Sequence, residues 1–233
     1  MAGLSYFPWN GDNCSVHDME TLLSDSWLSD FHIDHVLTNI FHSHSANHGA
    51  ESSSHHAFLP VFDTGSIVSA YTGSAHHGRA EDKGQKLLDL ENKIISGHIK
   101  SVAGVLHLHN HWTSLVIAFK PPRIFYGDSL GNPMPPKKAT AYRRWICHML
   151  SRSGHKIPES DISIYALDIT IQKDPSSCGL FALNAISHHY LKQDSPLLKS
   201  DALSLAHYRM EIALELLQGG AVSLFFWICV IES

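Results

Sequence analysis

Three short apolar runs follow one another in the middle of the chain: VAGVLHL (102–108), TSLVIAF (113–119) and RIFYGD (123–128). Asn110 and the pair Pro121–Pro122 separate them. Each run is too short for a typical buried helix and about the usual length of a strand. A meander of this kind makes a sheet whose faces need covering, and amphipathic helical periods lie on both sides of it. Ser29 is placed to cap a helix in which Ile33, Val36, Leu37, Ile40 and Phe41 recur at helical spacing. A second helix is predicted over 82–97, with Leu87, Leu90, Ile94 and Ile95 inward, and a third over 138–152, with Tyr142, Trp145, Ile146, Met149 and Leu150 inward. A fourth starts near Cys178, with Phe181, Ala182, Ala185, Ile186 and His189 inward. The fifth, over 201–217, carries Leu203, Ala206, Met210, Ala213, Leu214 and Leu217. One more strand is predicted at ISIYALDITIQ (162–172), with Ile169 and Ile171 on one face and Gln172 at its end. Helices, then a strand meander, then alternation of strand and helix imply an α+β fold, a central mixed β-sheet flanked by helices. No repeat or long linker divides the 233 residues, so one domain over 1–233 is expected.

Bulk chemistry narrows the classes. A net charge of −5 gives no electrostatic case for a nucleic-acid or anionic-membrane partner. The four cysteines (Cys14, Cys147, Cys178, Cys229) are far apart, which argues against a cysteine zinc site and against a disulfide framework. The start, MAGLSYFPWNGD, has neither the basic nor the apolar region of a secretory signal. Free thiols in a reducing compartment, nucleus or cytoplasm, are the expectation. The apolar tail 221–231 is shorter than the roughly 17–25 residues of a spanning helix and is read as a buried terminal strand. Many of the 19 histidines fall in Ser-rich and Ala-rich stretches at 42–56 and 75–79, which read as solvated loops.

The stretch HLHNHW (107–112) sets His107, His109 and His111 at alternate positions. On an unbroken strand they would share one face and resemble a zinc site. Asn110 is a turn former, however, and a turn at His109–Asn110 breaks the alternation. His111 then begins a strand, and Asp128 ends the next one in FYGDSLG. If the two strands pair as a hairpin around KPPR, His111 and Asp128 meet, and the acid fixes the imidazole tautomer.

Cys178 opens the fourth helix in QKDPSSCGLFALNAI, where the positive end of the dipole favours a thiolate. Gly179 would let a substrate backbone approach closely. Gln172, six residues before Cys178, offers an amide NH₂ as an oxyanion donor beside the Cys178 N–H. His, Asp, Gln and Cys in this order make a thiol-protease set.

HWTSLVIAF, FYGDSL and QKDPSSCGLFALNAI together resemble the ubiquitin-like protease family, the SUMO-processing cysteine proteases related to adenovirus proteinase. WLSD (27–30) is similar to that family's Trp-Leu-Asn-Asp element, so the resemblance spans about residues 20–217. It implies a papain-like, adenain-like protease fold with His111, Asp128, Gln172 and Cys178 as catalytic residues. It also implies Trp27 and Trp112 as walls of a tunnel that admits only a Gly-Gly tail, and Asp30 as a dock for the modifier's basic tail residues. The partner would be a SUMO-type ubiquitin-like modifier and its conjugates, met by a monomer with no cofactor, no metal, no nucleic acid and no membrane. Ser177 departs from the family's Asp before the nucleophile, and Ser29 from its Asn. Rival readings are a modifier-binding module that keeps the fold, a metal-dependent protein built on the histidines, and an acyltransferase of the same clan.

Overall fold

The computed structural model describes residues 6–9, 12–53, 55–72 and 84–217. An antiparallel pair, β1 (Tyr6–Trp9) and β2 (Asp12–Ser15), leads into α1 (Val16–Leu23) and α2 (Asp30–Ser53). The chain continues through β3 (His56–Leu59), α3 (Val61–Thr72) and α4 (Gln85–Ile95). The meander follows as β4 (Ser101–His107), β5 (Trp112–Phe119) and β6 (Pro122–Gly127), and then α5 (Pro136–Arg152). The chain then forms β7 (Ser163–Ala166), α6 (Cys178–Leu191) and α7 (Ala202–Leu217). A five-stranded mixed sheet runs β3-β4-β5-β6-β7, antiparallel within the meander and parallel at both edges.

Strand alternation sorts the meander's side chains onto two cores. Ala103, Val105, Trp112 and Val116 face α2, α6 and α7. Val102, Leu106, Leu115, Ile117, Phe119, Ile124 and Tyr126 face α3, α4 and α5. Helix α6 is buried on every side from Cys178 to Ser187, as expected of a helix apolar all round. The Ser114 hydroxyl donates to the Ala182 carbonyl at 2.9 Å and ties this helix to β5. On the other face Trp145 Nε1 donates to the buried Glu91 carboxylate at 2.8 Å, joining α5 to α4. No helix among the described residues is long and apolar enough to cross a membrane.

The α+β reading and the meander agree with this architecture, and Ile33, Val36, Leu37, Ile40 and Phe41 are all buried. Four expectations need correcting. The stretch 42–53 is helix, the continuation of α2, rather than a loop. It holds no Pro and one Gly, so an established helix propagates through it at little cost. The strand predicted over 162–172 stops at Ala166. After one more sheet bond, Leu167 N–H to Tyr126 O, the chain runs beside the loop that follows β6.

Helix 82–97 is shorter at its start, beginning at Gln85. On α7 the inward face is Leu205, Arg209, Ile212, Ala213 and Leu216, while Leu203, Met210, Leu214 and Leu217 are exposed. Leucines at two interleaved helical spacings make the period ambiguous, and tertiary contacts choose the face that carries Arg209. The stretch 75–79 and the tail 221–231 lie outside the described residues.

Candidate active site

The β4–β5 turn answers the question raised by HLHNHW. His109 is in the left-handed region (φ 57°), and the Leu108 N–H donates to the His111 carbonyl at 2.8 Å. A tight turn therefore interrupts the three imidazoles. His107 pairs with Trp112 across the ladder, and its ring lies 4.4 Å from the indole. Among the described residues no group of three or more His, Cys, Asp or Glu side chains could hold a metal ion.

His111 meets Asp128 instead. Ser114 opposite Gly127 is the last register pair at this end of β5 and β6, so residues just beyond leave the sheet side by side. Asp128 Oδ1 lies 2.7 Å from His111 Nε2 and accepts the Leu130 N–H at 2.8 Å. The turn closes with Gly131 N–H on the Asp128 carbonyl, Gly131 taking a φ of 77° that suits glycine. The Asp128 side chain is 3% exposed and that of His111 14%, so the pair is largely shielded from water. With Nε2 donating to the carboxylate, Nδ1 is the basic nitrogen of the neutral ring.

Cys178 is buried at the first position of α6, in a turn built by Asp174. Asp174 Oδ1 accepts the N–H groups of Ser176 and Ser177 at 2.9 and 2.8 Å. Burial works against the Asp174 charge, but these N–H donors and both serine side chains hold it below the usual carboxylate range. The sequence expectation of a favoured thiolate is corrected here. Burial pushes the Cys178 thiol up, the N–H groups of Trp112, Gly179 and Cys178 itself pull it down, and Asp174 adds to the rise. The dipole argument considered the helix end and not the depth of the sulfur. A thiol held this way needs a base, and Trp112, whose N–H acts on the sulfur, directly follows His111.

Gln172 sits in the irregular segment after β7, not at a strand end. Its N–H donates to the Ser129 carbonyl at 2.9 Å, and its Oε1 accepts the Ser129 hydroxyl at 2.5 Å. Its Nε2 donates to the Asp174 carbonyl at 2.8 Å. Gln172 thus bridges the loop that carries Asp128 and the turn that carries Cys178.

Trp112 is buried, and its Nε1 donates to the Leu28 carbonyl at 2.8 Å. This bond brings the segment holding Trp27, which is 41% exposed, against the start of β5. Asp30 is exposed at the start of α2, where its Oδ1 accepts the Phe31 N–H. Gly179 packs closely on the side of α2. A Cβ there would meet Leu28 at 3.2 Å and Ile33 at 3.3 Å. On that side the space serves the close approach of α6 to α2.

Sequence reasoning missed Ser129, Asp174 and Arg209. Asp174 stands before Pro175 and three residues before Ser177, a spacing at which an Asp side chain closes its own turn. Arg209 is a lone cation on an otherwise apolar face, and it donates to the carbonyls of Leu22 and Ser26 at 2.9 and 2.8 Å.

Residues 89–216 match the Ulp1 protease family, C-terminal catalytic domain. No curated protein matches the chain by sequence. Among solved structures, the catalytic domain of a Chaetomium thermophilum Ulp1-like SUMO protease superposes with a TM-score of 0.71 at 18% identity, over 97% of this chain and 87% of that one. A C-terminal Ulp1 protease domain in complex with Smt3, the yeast ortholog of SUMO, gives 0.64 at 20% identity, over 92% and 87%. A de-sumoylating protease gives 0.67 at 14% identity, over 93% and 91%. At these identities the likeness is one of fold.

Proposed function

This chain belongs to the Ulp1 protease family and is a cysteine peptidase, and from that premise we propose that it cleaves after the C-terminal Gly-Gly of a SUMO-type ubiquitin-like modifier. The bond cut is the amide to a lysine ε-amine or to a short C-terminal extension. One observation carries the reading: the His111–Asp128 pair, closed at 2.7 Å, directly precedes Trp112, whose backbone N–H favours the Cys178 thiolate. The Ulp1 domain whose structure holds Smt3 supports the choice of modifier.

In this mechanism His111 Nδ1 takes the thiol proton as the Cys178 sulfur attacks the carbonyl carbon of the terminal glycine. Asp128 keeps Nε2 protonated and the ring in place. The second Gln172 amide hydrogen and the Cys178 N–H receive the oxyanion, each donor worth ~3 kcal/mol in comparable hydrolases. His111 returns the proton to the leaving amine, and a thioester forms. Water, losing a proton to His111, then releases the modifier's carboxylate and restores the thiol. Trp27 and Trp112 would flank the glycine tail, and Asp30 would meet basic residues upstream of it.

The test is a panel of ubiquitin-like modifiers bearing a C-terminal electrophile. Wild type is expected to be labelled by the SUMO-type probe in preference to ubiquitin, and Cys178→Ala not at all. Labelling that persists in Cys178→Ala removes the nucleophile assignment, and full turnover by His111→Ala removes the base. The alternative is a modifier-binding module with weak chemistry. Stoichiometric binding of modifier with no cleavage by freshly reduced protein would select that alternative.

A further inference from the structure

Ser129 directly follows the proposed catalytic acid and is fully buried, although its side chain is a hydroxyl. A buried hydroxyl is costly unless it is bonded, and this one spends its proton on Gln172 Oε1 at 2.5 Å. The same residue's carbonyl accepts the Gln172 N–H at 2.9 Å. Ser129 therefore holds Gln172 twice, once by backbone and once by side chain.

The side-chain bond has a consequence for orientation. A glutamine amide can present either its oxygen or its NH₂ in a given direction, and the hydrogen-bond partners decide which. The Asp174 carbonyl can only accept, so it takes an NH₂ hydrogen of Gln172, and the Ser129 hydroxyl, which can donate or accept, donates to the oxygen left facing the Asp128 loop. The bond to the Asp174 carbonyl, at 2.8 Å, turns the NH₂ the other way. Asp174 belongs to the turn whose N–H groups it gathers just before Cys178. The second hydrogen is on the same nitrogen that reaches the Asp174 turn.

We propose that Ser129 is a positioning residue, whose hydroxyl anchors the Gln172 amide oxygen, steadies the NH₂ that would serve the oxyanion site and couples that donor to the Asp128 loop. This rests on the protease reading above, in which Gln172 is the donor. Without the hydroxyl, the amide keeps the Asp174 carbonyl as its side-chain partner but loses the anchor on its oxygen, and an amide free to swing would present its remaining hydrogen poorly to the developing negative charge.

The test is a double-mutant cycle on the full chain, with a SUMO-type modifier carrying a C-terminal coumarin amide as substrate. Ser129→Ala is expected to lower kcat about 10-fold, and Gln172→Ala about 100-fold, the loss usual for one oxyanion donor. KM should stay within about twofold in both, because the defect lies in the transition state and not in binding. In the Gln172→Ala background, Ser129→Ala should cost nothing further. The rate of Cys178 alkylation by iodoacetamide should be the same in wild type and Ser129→Ala, a readout that general loosening of the site would move.

Equal losses from Ser129→Ala in both backgrounds would overturn the proposal, and so would an unchanged kcat or a change confined to KM. Wild type that turns over no modifier substrate fells the protease reading and the Ser129 role with it. An active wild type with a failed cycle fells the Ser129 role alone.

Discussion

At the scale of single residues, the site depends on which atom of each side chain is already occupied. Asp128 Oδ1 receives two donors, His111 Nε2 at 2.7 Å and the Leu130 N–H at 2.8 Å. That arrangement fixes the carboxylate before any substrate arrives and dictates the imidazole tautomer. An amide at this position could satisfy Leu130 with its oxygen and then present NH₂ to the ring. His111 would have to accept there, leaving its proton on Nδ1, where the Cys178 proton needs to go. Asp128→Asn is therefore expected to lower kcat by about 10²–10⁴-fold, the upper end being the loss for the same change in a Ser-His-Asp triad. KM for the modifier should change little, and the melting temperature should fall by about 2–6 °C, since a buried carboxylate that accepts two hydrogen bonds gives way to an amide of the same shape at a cost of about 1–1.5 kcal/mol. A turnover number within threefold of wild type would show that the tautomer does not matter and that the pair has another purpose.

At the scale of elements, the junction of α1 and α2 is held by a histidine that the helical period alone would place in the core. His32 is buried, with Nδ1 accepting the Ser29 N–H at 3.1 Å and lying 2.8 Å from the Ser29 hydroxyl. Its Nε2 must then be the protonated nitrogen, donating to the Asp18 carbonyl at 2.8 Å. Burial lowers the His32 pKa below its ordinary value, with the Asp18 carbonyl and charge pulling the other way. An unfolded chain thus takes up a proton near pH 6.5 that the folded chain refuses, so stability is lost as pH falls below that value. Between pH 7.5 and 5.5 the melting temperature of wild type should fall by about 2–4 °C for each kcal/mol lost. His32→Gln should be less stable at pH 7.5 but show a smaller fall, and parallel curves for the two proteins would remove His32 from the acid response.

The same junction marks the limit of what the sequence makes legible. Ser29 was readable as a helix start from its type and place, whereas the return bond from His32 depends on a ring's rotation and on a carbonyl fourteen residues away. The His111–Asp128 meeting was readable because two strand periods and one proline turn fix a register. Ser129, bonded to a residue 43 positions on, leaves no periodic trace.

At the scale of the whole molecule, the sheet carries two cores on its two faces, and the candidate site lies at the end of the meander where α2, α6 and β5 converge. The wall bearing Trp27 reaches that end only because residues far apart in the chain hold it. Trp112 binds the Leu28 carbonyl from the sheet side. From the opposite side Arg209 on α7, 3% exposed, donates one guanidinium nitrogen to Leu22 O and another to Ser26 O. Desolvation lowers the Arg209 pKa, and the charges of Asp25 and Asp174 oppose that shift. A planar fork suits two carbonyls in fixed positions, and a lysine ammonium at the end of a flexible stem does not. Arg209→Lys keeps the charge but leaves one carbonyl short of its donor, at a cost of about 1–3 kcal/mol. At about 2–4 °C per kcal/mol, the melting temperature should drop by roughly 2–12 °C. If the clamp also sets the tryptophan wall, KM for a SUMO-type coumarin substrate should rise about 5-fold or more, while iodoacetamide still alkylates Cys178 at the wild-type rate, because the uniform binding lost resides in the wall and not at the sulfur. A lower melting temperature with an unchanged KM would confine Arg209 to holding the fold together. An unchanged melting temperature would mean that the two carbonyls find water in place of the lost donor.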